Sequence, residues 1–140
     1  MTPAYLADKS ALARWDEPAV AAVLDPALAA GLLWRCPPVE LEVLYSCQTP
    51  SEYAAIHQER SDSYNQAPLE PEVGAVALEL QAALARAGQL RSVGPMDLLI
   101  AAVAVHHGLT VLHYDHDFEI LAGADARLAH RWVAARGSVD

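Results

Sequence analysis

The fold of this 140-residue chain is decided by residues 95 to 121, which read PMDLLIAAVAVHHGLTVLHYDHDFEIL. Met96 to about His107 is apolar on nearly all sides and follows a proline suited to a first helical turn, which predicts a central, buried helix. Gly108 is expected to end that helix. Thr110 to Tyr114 then predicts a buried strand, and Asp117 to Leu121 a short turn of helix. A buried helix followed by a buried strand is typical of a parallel α/β sheet.

The rest of the chain continues this alternation of strands and helices. Further strands are expected at Ala4–Ala7, Leu32–Cys36 and Arg131–Ala135. Further helices are expected from Ser10 to Trp15, from Ala19 to Ala30 with an interruption at Pro26, from Ser51 as the cap to about Asn65, and from Val73 to Ala87. The segment Val39–Ser46 suits either a helix or a strand, and Ala67–Pro71 resembles a linker. We expect a single domain over residues 1–140.

Composition and charge exclude several classes of protein. The chain is 54% hydrophobic and 19% charged, which excludes a disordered or low-complexity chain. Its 9 Lys+Arg against 18 Asp+Glu give a net charge of −9, so a broadly basic nucleic-acid-binding surface is excluded. The two cysteines, Cys36 and Cys47, form no CxxC motif or disulfide framework. No apolar run approaches the roughly 18 residues of a membrane span, and the N-terminus lacks a signal peptide's basic region, so we expect a cytoplasmic protein.

Acidic residues collect where the predicted strands end. Asp8 follows the first strand, Asp115 and Asp117 follow the strand from Thr110 to Tyr114, Asp97 lies in the first turn of the buried helix, and Glu40 and Glu42 lie in an apolar stretch. Ligands of open parallel sheets bind beyond the carboxyl ends of the strands. Converging carboxylates repel one another unless a cation is bound, and Mg²⁺ or Mn²⁺ prefers such oxygen ligands. This arrangement favours metal-assisted hydrolysis of a phosphodiester.

Each acid also has a purely structural interpretation. Asp8 could cap the following helix, and Asp97 could favour the positive end of its helix dipole. Asp115 and Asp117 could be turn residues. Glu42, between Leu41 and Val43, has no such role. The hypothesis of a metal site therefore depends on the whole set and not on any one member.

Four motifs follow one another along the chain: YLADKSAL from Tyr5, VELEVLYS from Val39, PMDLLIAA from Pro95 and VLHYDHDF from Val111. In this order they resemble the motifs of the PIN-domain ribonucleases, and most closely those of the VapC toxins of bacterial type II toxin–antitoxin systems. The resemblance implies a PIN-like, three-layer α/β fold with about five parallel strands flanked by helices. It also implies an endoribonuclease dependent on Mg²⁺, with Mn²⁺ as a possible substitute.

The resemblance also assigns roles to individual residues. The catalytic, metal-binding carboxylates fall on Asp8, Glu42, Asp97 and Asp115, and Ser10, Asp117 and Glu40 are accessory. Glu42 fits the family's second acid better than Glu40, although Ser46 replaces the usual Gly and leaves that choice open. Lys9 stands where Thr or Ser is usual. We expect Lys9, Arg14 and Arg91 to contact the phosphates of RNA.

Partners follow from the same resemblance. They are an RNA substrate and a VapB-type antitoxin whose basic tail suits an acidic chain. A homodimer is also expected, and the helix between Tyr53 and Tyr64 is the expected place for dimer or antitoxin contacts.

Three other interpretations are weaker. His106-His107 and the histidines of HYDHD invite a zinc site, but adjacent helical residues point to different faces, and the helix dipole alone favours imidazoles at this C-terminus. An aspartyl-phosphate phosphatase would require Asp-x-Asp where this chain has Asp8-Lys9-Ser10. A catalytically silent PIN-like module that binds RNA or a partner remains the non-enzymatic alternative. The presence of all four acids favours the enzyme.

Overall fold

The computed structural model describes residues 3–140. In it, five short strands form one sheet: β1 (Tyr5–Ala7), β2 (Leu33–Arg35), β3 (Asn65–Gln66), β4 (Thr110–His113) and β5 (His130–Trp132). Their order is β3-β2-β1-β4-β5, and every neighbouring pair is parallel. The expected parallel sheet is confirmed.

Helices connect the strands. They are α1 (Lys9–Leu12), α2 (Pro18–Ala29), α3 (Pro37–Tyr45), α4 (Pro50–Ser63), α5 (Pro71–Arg86), α6 (Pro95–His107) and α7 (His116–Ala124). The helices α2 to α6 each begin with a proline, whose fixed φ suits the first turn and whose missing N–H is not needed there. Gly108 ends α6 at a φ of +68°, a conformation that favours glycine.

The sheet is buried on both faces, and alternate residues of a strand belong to different cores. In β1, Leu6 packs into a core with α5, α6 and α7, whereas Ala7 packs into a core with α2. In β4, Val111 packs into the first of these cores and Leu112 into the second. This alternation follows from the two-residue period of a strand and confirms three layers. No helix in residues 3–140 combines the length and apolar character needed to cross a membrane.

Strand order places a crevice beside the centre of the sheet. From β1 the chain adds β2 and then β3 on one side, while β4 and β5 lie on the other. The direction of winding therefore changes between β1 and β4, which pair directly. A ligand site is expected outside the carboxyl ends of the strands at such a point.

Several local predictions require correction. The segment Val39–Ser46, for which the sequence left a helix and a strand open, belongs to the helix α3. Pro26 does not interrupt α2. Proline has no N–H, so the Ala22 carbonyl lacks its helical hydrogen bond. Both residues are exposed, and water can bind this carbonyl instead. The cap of α4 is Thr49, whose hydroxyl accepts a hydrogen bond from the Glu52 amide at 3.0 Å, and not Ser51.

One helix is longer than expected, and one strand was not expected. The short turn expected at Asp117 to Leu121 is the longer helix α7, since Asp115 caps it from outside the expected range. The strand β3 was not predicted, because two exposed polar residues carry no strand pattern and join the sheet only by pairing with Trp34 and Arg35.

Candidate active site

Asp8 lies at the carboxyl end of β1 and uses its two oxygens differently. Its Oδ2 atom caps α1 by accepting hydrogen bonds from the Ser10 amide at 3.0 Å and the Ser10 hydroxyl at 2.6 Å. Its Oδ1 atom is buried and has no hydrogen-bond partner within residues 3–140. The capping role and a ligand role are therefore compatible, because the second oxygen remains available to a cation.

Four more carboxylates complete a continuous acidic cluster around Asp8. Carboxylate oxygens of Asp8, Glu42 and Asp97 lie within 4.8 Å of one another, and so do oxygens of Asp97, Asp115 and Asp117. Asp97 belongs to both groups and joins them. The backbone elements that supply the cluster are the ends of β1 and β4, the second turn of α3 and the first turn of α6.

Asp115 and Asp117 are held by the turn after β4. The Asp115 side chain caps α7, accepting a hydrogen bond from the Asp117 amide at 2.9 Å. The Asp117 carboxylate lies beside Asp97, and its pKa is raised, first by burial and then by repulsion from Asp115. The turn thus presents both carboxylates to α6.

Burial and mutual repulsion raise several pKa values in this cluster. The pKa of Asp97 rises to about 7, first because burial disfavours its charged form and then because Asp8, Asp115 and other acids repel it. Burial also raises the pKa of Asp8, opposed by its hydrogen bonds from Ser10, and the pKa of Glu42. Charged carboxylates at this density require a cation, and oxygen ligands suit Mg²⁺ or Mn²⁺. The residues present therefore fit a divalent cation.

Ser10 connects the two strand ends of the cluster. Its hydroxyl donates to Asp8 and accepts a hydrogen bond from the Tyr114 amide at 2.9 Å. Arg14 extends this connection, since its Nη1 atom donates to the Ser10 carbonyl at 2.7 Å and its guanidinium lies 4.6 Å from the centre of the Tyr114 ring. The structure places Ser10 where an accessory residue was expected.

Two of the three predicted phosphate-binding residues border the cluster. Lys9 and Arg14 line a hollow of about 310 Å³ together with Asp8, Glu42, Asp97 and Asp115. Arg91 does not line this hollow. It is exposed on the loop after α5 and borders a different depression formed by residues 88–92.

Glu40 points away from the cluster and has a structural partner. Its Oε1 atom lies 2.7 Å from Arg60 Nε and 2.6 Å from Arg60 Nη2, and both side chains are buried. Arg35 approaches the other oxygen at 3.9 Å. The arrangement favours Glu42 over Glu40 as the second acid of the site.

His113 holds the turn that carries Asp115, a contact that was not predicted from the sequence. It is fully buried at the end of β4, and its Nδ1 atom accepts a hydrogen bond from the Asp115 amide at 3.1 Å. The proton therefore resides on Nε2, which donates to Nδ1 of His130 at 2.9 Å. Burial lowers the His113 pKa to about 4, so the ring is neutral. The alternation of the strand could have predicted that His113 is buried, because His113 follows Val111 by two residues and therefore lies on the same buried face.

Comparisons with known proteins agree with this fold. The family model of the PIN domain matches residues 5–124. Ribonuclease VapC21 of Mycobacterium tuberculosis is 42% identical over 138 residues, which cover 99% of each chain. Ribonuclease VapC51 of the same species is 34% identical over 136 residues, with 97% of each chain covered.

Solved structures with similar folds include complexes of VapBC proteins. The VapBC-5 toxin–antitoxin structure from Mycobacterium tuberculosis aligns with a TM-score of 0.63 at 25% identity, covering 91% of this chain and 98% of that chain. The DNA-bound VapBC structure from Salmonella typhimurium aligns with a TM-score of 0.73 at 17% identity, covering 93% and 98%. At this lower identity the likeness concerns the fold alone. From the family model and the full-length relatives we conclude that this chain belongs to the PIN domain family, within its VapC group.

Proposed function

We propose that this protein is a Mg²⁺-dependent endoribonuclease and the toxin of a VapBC-type toxin–antitoxin pair. The observation that carries the proposal is the continuous cluster of Asp8, Glu42, Asp97, Asp115 and Asp117 at the carboxyl edge of a PIN fold. Full-length relatives that are named ribonucleases support the reaction class. Mn²⁺ is expected to replace Mg²⁺, because both accept oxygen ligands with open water positions.

In this proposal Asp8, Glu42, Asp97 and Asp115 hold the cation. A bound divalent cation supplies positive charge that activates water and stabilises the charge developing on a phosphodiester. Ser10 keeps Asp8 in one orientation by occupying its Oδ2 atom, so that Oδ1 faces the cation. Asp117 is accessory to this set, since one of its carboxylate oxygens lies within 4.8 Å of oxygens of Asp97 and Asp115.

Lys9 and Arg14 are proposed to bind the phosphates on either side of the scissile bond. Both border the acidic hollow, and Arg14 is oriented by the Ser10 carbonyl and the Tyr114 ring. Their positive charges compensate locally for a chain of net charge −9. We propose no such role for the exposed Arg91.

A VapB-type antitoxin is the proposed protein partner, and a homodimer is the proposed assembly. Apolar side chains of α3 and α4 leave a hollow of about 510 Å³ whose lining includes Leu41, Tyr45 and Tyr53. These three side chains are 65%, 89% and 48% exposed, so contact with a partner would remove a large apolar area from water. Tyr53 in this lining belongs to α4, the helix for which dimer or antitoxin contacts were expected from the sequence. We place the pair in the cytoplasm.

The decisive experiment is RNA cleavage by the purified chain with Mg²⁺, with EDTA and with the variant Asp97→Asn. We expect cleavage by the wild type and loss of cleavage in both other cases, because Asn keeps the shape of Asp97 and removes its charge. Asp16→Asn, which changes an exposed acid outside the cluster, is the matched control and should retain cleavage. Cleavage that persists in EDTA and in Asp97→Asn would refute the metal mechanism.

The alternative function is a catalytically silent module that binds RNA or a partner protein. It predicts that pools of transfer, ribosomal and messenger RNA remain intact with Mg²⁺ or Mn²⁺ while a band shift shows RNA binding. The complete set of acids favours the enzyme over this alternative.

A further inference from the structure

A second group of metal-ligating side chains lies at the other end of α6 from the acidic cluster. A carboxylate oxygen of Glu70 and ring nitrogens of His106 and His107 lie within 4.8 Å of one another. Asp97 is in the first turn of α6 and His107 is its last residue. At 1.5 Å per helical residue the two positions are about 15 Å apart, so this group is separate from the candidate active site.

The Pro68 carbonyl binds two of these three residues. It accepts a hydrogen bond from His107 Nε2 at 2.8 Å and another from the Glu70 amide at 3.0 Å. Because a carbonyl only accepts, Nε2 carries the ring proton and Nδ1 of neutral His107 keeps its lone pair. A histidine that donates its other N–H to a carbonyl is the usual arrangement around a bound metal, where it fixes the tautomer and the ring orientation.

Glu70 also remains available for a cation. It occupies the cap position of α5, but its side chain makes no capping hydrogen bond. It is partly buried, which limits the freedom that binding would remove. The C-terminal end of α6, where both histidines lie, carries the negative end of a helix dipole and favours positive charge.

Adjacent histidines on a helix would be expected to diverge, but here the two rings meet edge to face with centroids 4.8 Å apart. The ligand atoms of a tetrahedral Zn²⁺ site are about 3.4 Å apart, whereas the three atoms here lie within 4.8 Å of one another. The His106 ring is exposed and can rotate to shorten these distances. Two imidazoles and one carboxylate also select a borderline metal over Mg²⁺, which prefers oxygen ligands throughout.

We propose that Glu70, His106 and His107 form a Zn²⁺ site that joins the start of α5 to the end of α6. His107 coordinates through Nδ1, His106 through one ring nitrogen and Glu70 through one carboxylate oxygen, and water completes the coordination. The site is independent of the proposed ribonuclease activity, and its occupancy stabilises the packing of α5 on α6.

The test is a Zn²⁺ titration of the full chain, followed by two-dimensional ¹H–¹⁵N spectra of the imidazole nitrogens. These spectra identify the coordinating atom of each histidine, so metal bound to the acidic cluster does not confuse the result. We expect shifts at His107 Nδ1 and at one His106 nitrogen, and none at His57. Shifts confined to the other histidines would overturn the proposal.

Three variants measure the contribution of each ligand: His106→Gln, His107→Gln and Glu70→Gln. Each should weaken Zn²⁺ binding by about tenfold or more, equivalent to about 1.4 kcal/mol, and should abolish the increase in Tm that Zn²⁺ causes in the wild type. The control His57→Gln changes an exposed histidine on α4 and should leave both quantities unchanged.

His107→Gln tests coordination without removing the organising hydrogen bond, because the amide of Gln can still donate to the Pro68 carbonyl. His106 is exposed, so its replacement provides the same test without disturbing buried packing. Wild-type affinity in the His106→Gln and His107→Gln variants would refute the site.

Discussion

Replacing Asp97 with Asn should stabilise the metal-free protein while abolishing its proposed activity. In the folded protein the pKa of Asp97 is about 7, compared with an ordinary value of 3.8. Between these values the folded state binds a proton that the unfolded state has released, so stability falls as pH rises through this range. Above pH 7 the folded protein bears the full free-energy cost of an ionised Asp97. Asn carries no charge and removes this cost.

The size of the effect follows from the pKa shift. A rise from 3.8 to about 7 corresponds to about 4 kcal/mol at 1.36 kcal/mol per pH unit. Asp97 is only partly buried, so solvent screening reduces this penalty, and we expect Asp97→Asn to gain about 2 kcal/mol at pH 8. The amide of Asn can donate a hydrogen bond to the neighbouring Asp117 carboxylate, which limits any opposing loss of stability.

Urea unfolding at pH 4 and pH 8, with EDTA and with Mn²⁺, measures this effect. In EDTA the gain should be large at pH 8 and small at pH 4, where the wild-type carboxyl is already largely protonated. Mn²⁺ should stabilise the wild type more than the variant, because only the wild type keeps the full ligand set. The exposed-site control Asp16→Asn should change little. A variant that is no more stable than the wild type at pH 8 in EDTA would refute the reasoning.

Substitutions at three other positions test the surroundings of the site. Ser10→Ala should cost about 2 kcal/mol in urea unfolding, because the partly buried Tyr114 amide loses its acceptor and Oδ2 of Asp8 loses one of its two donors. Glu40→Gln should cost about 3 kcal/mol, since Arg60 is left buried without its counter-charge; wild-type stability would contradict the buried ion pair. His113→Leu should reduce RNA cleavage at least about tenfold, whereas His113→Asn, whose Oδ1 atom can accept the same amide hydrogen, should retain most of it. Equal activities of these two variants would show that the acceptor is unimportant.

Local signals were sufficient to predict most of the elements of the fold. Pro95 at the start of α6 and Gly108 at its end marked the boundaries of that helix, because they act through the backbone of one or two residues. The alternation of buried helix and strand then predicted a parallel sheet, which the structure confirms. The acids at the strand ends were predicted for the same reason, since a parallel sheet places the carboxyl ends of its strands along one edge.

The choice between Glu40 and Glu42 required the tertiary structure. The two residues are separated by two positions on α3 and therefore point to nearly opposite sides of the helix. The family motif fits Glu42 better than Glu40 but leaves the choice open, because Ser46 replaces the usual Gly. The buried Arg60, 20 residues further along the chain, pairs with Glu40 and leaves Glu42 to the acidic cluster.

Local patterns predicted most of the helices and strands and the edge of the sheet at which the acids collect, because these depend on short-range backbone preferences and on the period of apolar residues. Only the tertiary structure decided which side chains meet. The ring of His113 reached His130 through the pairing of β4 with β5, and His107 reached Pro68 because the turn before α5 packs against the end of α6. Such contacts join residues far apart in the chain, and their geometry is set by the packing of whole helices and strands rather than by any local pattern.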